Sequence, residues 1–267
     1  MATQTSHLIP PTEILHRPVD SAFSRRAVFA YGVGAYNVGV AGLVALILAT
    51  LGILPFTGGP VAIDGQGWRI AFNLGLISLF GVQHAIMARP AFKRWWTQVI
   101  PAAAERSTFV ALSGILMGAI VGLWQPLPEV IWSAENGALR NALLGGCAFG
   151  WAYLLAATFA IDHFELFGLK QVWRNLKGLR TPSPTFQARL MYRFDRHPIM
   201  TGVLIGLWST PDLTLERLVL ALGFTAYIVV GVAVEERDLR RLHGAHYHLY
   251  AKRVRTIIPF VGMLAKR

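Results

Sequence analysis

An all-α, polytopic membrane bundle is the fold class this sequence predicts, and three observations carry it. Of the 267 residues, 54% are hydrophobic and only 15% charged, more apolar surface than one soluble core of this length uses. That surplus is gathered into uncharged blocks of membrane-crossing length. The net charge of +11 is concentrated in alternate connections between the blocks.

Taken in order, residues 1–24 form a polar tail carrying His7 and His16. The first block, 27–54, carries no charge; it is too long for the apolar region of a signal peptide and reads as a retained span. Residues 70–88 form a second span, interrupted only by Gln83 and His84. The uncharged runs 107–124 and 141–161 supply the third and fourth. Each is about long enough to cross a hydrocarbon core of roughly 30 Å at about 1.5 Å per residue. Two further runs, 198–210 and 218–234, are joined by the polar stretch STPDLTLER with Pro211 and read as a helical hairpin. The first of these is short enough to be either a span or a re-entrant segment, so five to six membrane helices are expected. The expected organisation is a tail (1–24), four helices with their loops forming the substrate side (25–196), and a hairpin with a cofactor-binding C-terminal segment (197–267).

The connections at 55–67 and 125–137 contain no Lys or Arg, whereas 89–106, 162–196 and 235–267 are rich in both. By the positive-inside rule the basic segments face the cytoplasm, placing both termini inside and the chain in the inner membrane. The basic excess therefore serves topology and attraction to lipid headgroups. No nucleic-acid motif accompanies it, which excludes that partner class. The single cysteine, Cys147, excludes an intrachain disulfide.

This orientation gathers the ionisable groups at one face. His84 and Arg89 end the second span, Asp162 and His163 end the fourth, YRFDRHP (192–198) precedes the hairpin, and Glu235 with Glu236 closes its returning helix. Pro198 suits a first helical position, so the helix beginning there offers free backbone donors beside Arg196 and His197, fit for a carboxylate or phosphate. The bland alternative is a helix start at the membrane edge, with Asp195 as a local cap and the arginines snorkelling. In EERDLRRLHGAHYHLYAKRVRTIIPF (235–260), adjacent carboxylates can bond ribose hydroxyls or offset a cation. Tyr247 and Tyr250, three apart, can stack on a base or cover a sulfonium. S-adenosyl-L-methionine makes those demands together, though not uniquely.

These two segments resemble the isoprenylcysteine carboxyl methyltransferase superfamily of membrane enzymes. The shared pattern is Tyr192, Arg193, Arg196, His197, Pro198 and Gly202, then Glu235, Glu236, Gly244, Tyr247, Tyr250 and Pro259. Met200 stands where that superfamily often has tyrosine, a departure that bears on an ester-forming acceptor and not on the cofactor. HAIMARPAFKRWW (84–96), ERSTF (105–109), LWQPLPEVIW (123–132) and IDHFELFGLKQVW (161–173) extend the likeness to the bacterial methanethiol S-methyltransferases, with NnrU-like membrane proteins as neighbours. The resemblance implies S-adenosyl-L-methionine as cofactor, methanethiol as acceptor, membrane lipid as surroundings and no obligate protein partner. It implies a cofactor set of Tyr192, Arg196, His197, Pro198, Gly202, Glu235, Glu236, Tyr247, Tyr250 and Arg253.

Methyl transfer to a thiol needs a thiolate, hence a base or a cation. His84 and His163 are the candidate bases, Asp195 or Asp162 the orienting carboxylate, and Arg89 a cation able to favour the thiolate. Either histidine can equally serve as a helix-to-helix bond. Competing readings are a lipid or isoprenylcysteine acceptor, which needs an opening between helices wide enough for a chain, and a non-catalytic NnrU-like protein. Two apparent motifs carry less. GVGAYNVG (32–39) lies inside an uncharged span and reads as close helix packing. HGAHYH (243–248) lacks a fourth ligand and a shared face, so no metal is expected.

Overall fold

The structure is a computed structural model that describes residues 21–60, 62–182 and 190–257. His7, His16 and Pro259 lie outside the described residues, as do the side chains of His243 and His246.

Nine α-helices are found among them. Helices α1 (Ala22–Thr50), α2 (Gln66–Met87), α4 (Glu105–Leu123), α5 (Gly137–Ile161) and α9 (Leu215–Arg253) are the long ones. Five segments within or including them are long and apolar enough to cross a membrane. Short helices α3 (Pro90–Trp96), α6 (His163–Leu166) and α7 (Leu169–Leu176) occupy the basic connections, and α8 (Pro198–Trp208) opens the C-terminal hairpin. Helix starts follow local chemistry. Ser21 accepts from the Ser24 amide at 3.0 Å in front of α1, and Asn136 accepts from Ala138 at 2.8 Å in front of α5, each satisfying a donor that the first turn leaves open.

Glycine lets the helices approach. A Cβ on Gly42 of α1 would fall 2.0 Å from the Gly114 carbonyl of α4, and one on Gly114 would fall 2.4 Å from the Val38 carbonyl. At the α5–α8 crossing a Cβ on Gly150 would meet the Gly206 amide at 2.3 Å, and one on Gly202 the Gly150 carbonyl at 2.7 Å. Backbone-to-backbone contact of this kind replaces the hydrophobic drive that lipid does not supply. GVGAYNVG takes part through Gly32 against Val172 and Gly39 against Val110.

The end of the bundle without Lys or Arg in its long connections is tied by polar contacts. Asn73 and the backbone of Gln125 exchange bonds of 2.9 and 2.8 Å, and Arg217 reaches the Thr50 carbonyl at 2.8 Å. Here stand two short strands, β1 (Val130–Ser133) and β2 (Asp212–Thr214), paired antiparallel with Val130 opposite Thr214 and Ser133 opposite Asp212. The sequence reading expected no strand. The pairing follows from β-branched and aromatic residues in VIW, and from Arg140, which grips Asp212 through both oxygens at 2.8 and 2.6 Å.

At 11 residues α8 rises about 16 Å, roughly half a hydrocarbon core. His197 nevertheless touches Glu236, while Leu215 bonds Glu129 beside the strands. Between Leu215 and Glu236, α9 climbs about 32 Å. The segment 198–214 therefore covers the same height as a helix followed by extended chain.

Candidate functional site

At the basic end, YRFDRHP and the end of α9 fold against each other. Gly244 breaks α9 with φ 51 and ψ −128, a conformation that suits a residue without Cβ. The break returns the chain so that the Tyr247 hydroxyl donates to Glu236 Oε1 at 2.7 Å. In an unbroken helix, 11 positions would put them about 16 Å apart along the axis. The same carboxylate oxygen lies 3.0 Å from His197 Nε2 and 2.9 Å from Arg196 Nε; the arginine contact is an ion pair whose N–H is not aimed at the oxygen. Arg196 also donates to the Ala251 carbonyl at 2.6 Å and to Thr256, and its amide donates to the Arg255 carbonyl at 2.9 Å. Asp195, fully buried, accepts from the His197 amide at 3.0 Å and from the Tyr153 hydroxyl at 3.4 Å. Tyr250 donates to the Tyr192 carbonyl at 2.5 Å.

Burial works to lower His197, but the carboxylates of Glu235 and Glu236 outweigh it and raise the imidazole to about 9. It is a cation at neutral pH. Burial lifts Asp195 above its ordinary range against its hydrogen bonds, and burial with neighbouring negative charge pushes Tyr250 up to about 12.

The expected cofactor residues therefore divide. Arg196, His197, Glu236 and Tyr247 bond chiefly to one another and to backbone, forming a bonded floor. Gly202 is a helix-packing contact, Pro198 opens α8, and Arg253 is exposed. Glu235 keeps a half-exposed carboxylate, with Oε2 3.5 Å from His197 Nδ1. Tyr192 lies near enough to Glu235 and Asp195 to feel both charges. No side chain caps the first amides of α8.

The two candidate bases also differ. His163 is buried, with Thr158 Oγ1 2.8 Å from Nδ1 and Tyr36 Oη 3.0 Å from Nε2. Thr158 already donates its hydrogen to the Leu155 carbonyl at 2.7 Å. Nδ1 is therefore the donor and Nε2 accepts from Tyr36, a neutral tautomer with both nitrogens engaged. Burial lowers this imidazole, and Phe159 and Phe167 sandwich its ring at 4.3 and 4.5 Å.

His84 is only half-buried. Its Nδ1 meets Ser113 Oγ at 3.2 Å, and no described group meets Nε2. Around its ring stand Phe109 at 4.6 Å, Phe80 at 5.3 Å and Tyr227 at 6.2 Å, centroid to centroid. Glu235 and Arg106 lie within electrostatic reach of it. Arg106 stacks on the Phe109 ring at 4.6 Å and donates to the Leu166 carbonyl at 2.6 Å.

The other expected groups serve elsewhere. Arg89 pairs with Asp238, joining the end of α2 to α9. Asp162 pairs with Lys170 and accepts from the Glu165 amide at 3.1 Å. Asp195 belongs to the His197 cluster. Tyr227, Ser113 and Arg106 escaped the sequence reading: the first two sit inside apolar runs, and Arg106 looked like one more basic residue at the membrane edge. No group of three or more metal-binding side chains occurs among the described residues.

The chain is 39% identical over 245 residues to methanethiol S-methyltransferase 2 of Bradyrhizobium diazoefficiens, covering 89% of this chain and 92% of that one. It is 43% identical over 194 residues to the methanethiol S-methyltransferase of Mycobacterium tuberculosis, covering 73% and 80%. Nurim of Sus scrofa is 31% identical over 234 residues, covering 80% of this chain and 87% of that protein. No family model and no solved structure matches.

Proposed function

Because this chain belongs to the methanethiol S-methyltransferase family, we propose that it moves a methyl group from S-adenosyl-L-methionine to the sulfur of methanethiol, giving dimethyl sulfide and S-adenosylhomocysteine. The observation that carries the reading is a convergence at one end of the bundle. A half-exposed carboxylate, Glu235, stands over a bonded floor, and a half-buried histidine, His84, lies within its electrostatic reach.

The donor set fits the cofactor. The open Glu235 carboxylate suits ribose hydroxyls or a positive sulfur, the Tyr192 ring offers an aromatic face, and the uncapped amides of α8 suit a carboxylate. Arg196, His197, Glu236 and Tyr247 hold those groups in place from beneath. When bound, S-adenosyl-L-methionine supplies a methyl group on a positively charged sulfur.

The chain's own part is to hold and deprotonate the thiol. His84 Nε2 accepts the S–H proton, Ser113 at Nδ1 fixes the ring, and the surrounding aromatic rings exclude water from the thiolate. The thiolate held beside His84 would be the nucleophile to which the bound cofactor gives its methyl group, the cofactor's sulfonium leaving as a neutral thioether. Arg106 supplies the nearby positive charge that Arg89, paired with Asp238, does not.

Lys and Arg crowd the connections at this end and are missing from the long connections at the other. The site therefore faces the cytoplasm across the inner membrane, with the cofactor drawn from solution and both termini inside.

The test supplies membranes containing the protein with isotope-labelled S-adenosyl-L-methionine and methanethiol, and measures dimethyl sulfide in the headspace. Labelled product is expected from the wild type and is lost in His84→Ala. Label appearing in lipid, or no cofactor-dependent product at all, overturns the reading.

A further inference from the structure

In the reading above the acceptor thiol sits beside His84, whose ring is met by those of Phe80, Phe109 and Tyr227. Tyr227 of α9 lies in a notch of α2: a Cβ on Gly81 would come within 2.8 Å of Tyr227 Cδ2. One turn away along α9, Gly223 receives Ile77 Cδ1, which a Cβ there would meet at 2.5 Å. The helices thus interlock twice, from Ile77 to Gly81 on one and from Gly223 to Tyr227 on the other. The Tyr227 ring also meets those of His84 and Phe80 in edge-to-face contacts, at 6.2 Å and 89° and at 5.6 Å and 70°. Phe80 in turn rests on Phe224 at 5.8 Å. A long acceptor approaching His84 between these helices meets this wall, whereas a one-carbon thiol needs only room beside the rings, and sulfur packs favourably against aromatic groups.

We propose that Tyr227, seated in the Gly81 notch, is the specificity-determining residue that restricts the acceptor beside His84 to small alkyl thiols. The inference rests on the thiol methyltransferase reading above and adds to it the site that takes the acceptor and the residue that limits it. Changes on both sides of one contact test it. Tyr227→Ala and Tyr227→Leu remove or thin the wall. Gly81→Ala unseats the ring from its notch, since the added Cβ would lie 2.8 Å from Tyr227 Cδ2.

The experiment measures cofactor-dependent kcat/KM for methanethiol and 1-butanethiol in membranes holding equal amounts of folded protein. Wild type prefers methanethiol. Removing a bulky pocket wall changes such a preference by about tenfold or more, so Tyr227→Ala narrows the ratio by that factor, Tyr227→Leu narrows it less, and Tyr227→Phe keeps it. Gly81→Ala, which displaces the same ring, shifts the ratio from the wild-type value. A wild type that methylates both thiols equally, or a ratio unmoved in whichever of these variants folds, overturns the proposal. A wild type with no cofactor-dependent dimethyl sulfide instead overturns the reading on which it rests.

Discussion

Replacing His163 by alanine takes an acceptor from Tyr36 and a donor from Thr158 within a stacked aromatic pair. Each polar group left without a partner costs about 1–3 kcal/mol. His163→Ala should therefore lower the thermal midpoint in detergent while the folded fraction keeps methyl transfer. His84→Ala should do the reverse, retaining the midpoint and S-adenosyl-L-methionine binding but losing turnover; a His84→Ala enzyme with full turnover sinks its role as base. The sequence placed both histidines at span ends and gave no ground for choosing. What separates them is whether a partner hydroxyl occupies each ring nitrogen, a fact of tertiary packing. His197 carries a pH dependence of its own. Its folded value, about 9, lies above the ordinary 6.5, so the stability it contributes is full below about 6.5 and is lost as pH rises through 9. A scan of thermal midpoint from pH 6 to 10 should show that loss, and His197→Gln should flatten it. Equal slopes in the two proteins would mean that the Glu235 and Glu236 contacts hold no charged imidazole.

Among the elements, the close helix crossings allow the sharpest substitution. Gly114 has Gly39 and Gly42 directly across the α1–α4 contact, so Gly114→Leu must push the backbones apart. Overpacking in a tight core costs about 1–3 kcal/mol and occasionally more. The thermal midpoint should fall well below that of Gly118→Leu, where a Cβ meets nothing within 4 Å; equal midpoints would show that the crossing is not tight. Gly244→Ala probes the break in α9 differently, because φ 51 with ψ −128 strains any residue with a Cβ. It should loosen the Tyr247–Glu236 bond and weaken cofactor binding more than it weakens the bundle, as equilibrium binding against thermal midpoint would register. The five long helices were legible because membrane-length apolar runs have a simple signature. The strands β1 and β2 were not, since a four-residue and a three-residue strand are held by pairing across 79 to 84 positions and by Arg140 on Asp212, neither of which leaves a local period. Helix α7 is not legible locally either: its eight residues, LKQVWRNL, read as part of a basic connection, and what makes them an element is Val172 buried against Gly32.

For the whole molecule, the long connections at the end that holds Glu235 and His197 carry basic residues and the two long ones opposite carry no Lys or Arg, so the charge that sets orientation and the candidate site share one end. The ionisable groups of the candidate site could be placed at one level from the sequence, because span ends alternate sides. Their division into a self-bonded floor and open groups could not, since it depends on the turn at Gly244 bringing Tyr247 back to Glu236. The topology is itself testable with single cysteines. Cys147 is buried at 2% exposure and gives little background labelling. Ser133→Cys lies in β1 at the end whose long connections carry no Lys or Arg, and Lys177→Cys lies exposed just beyond α7 on the basic end. A membrane-impermeant maleimide added to spheroplasts should label Ser133→Cys and leave Lys177→Cys untouched, and inside-out vesicles should invert the pattern. Labelling of Lys177→Cys in spheroplasts would turn the site outward, away from the cytoplasmic supply of S-adenosyl-L-methionine. In that arrangement the Glu235 cleft could not be loaded from the cytoplasm, and the proposed reaction would have no methyl donor.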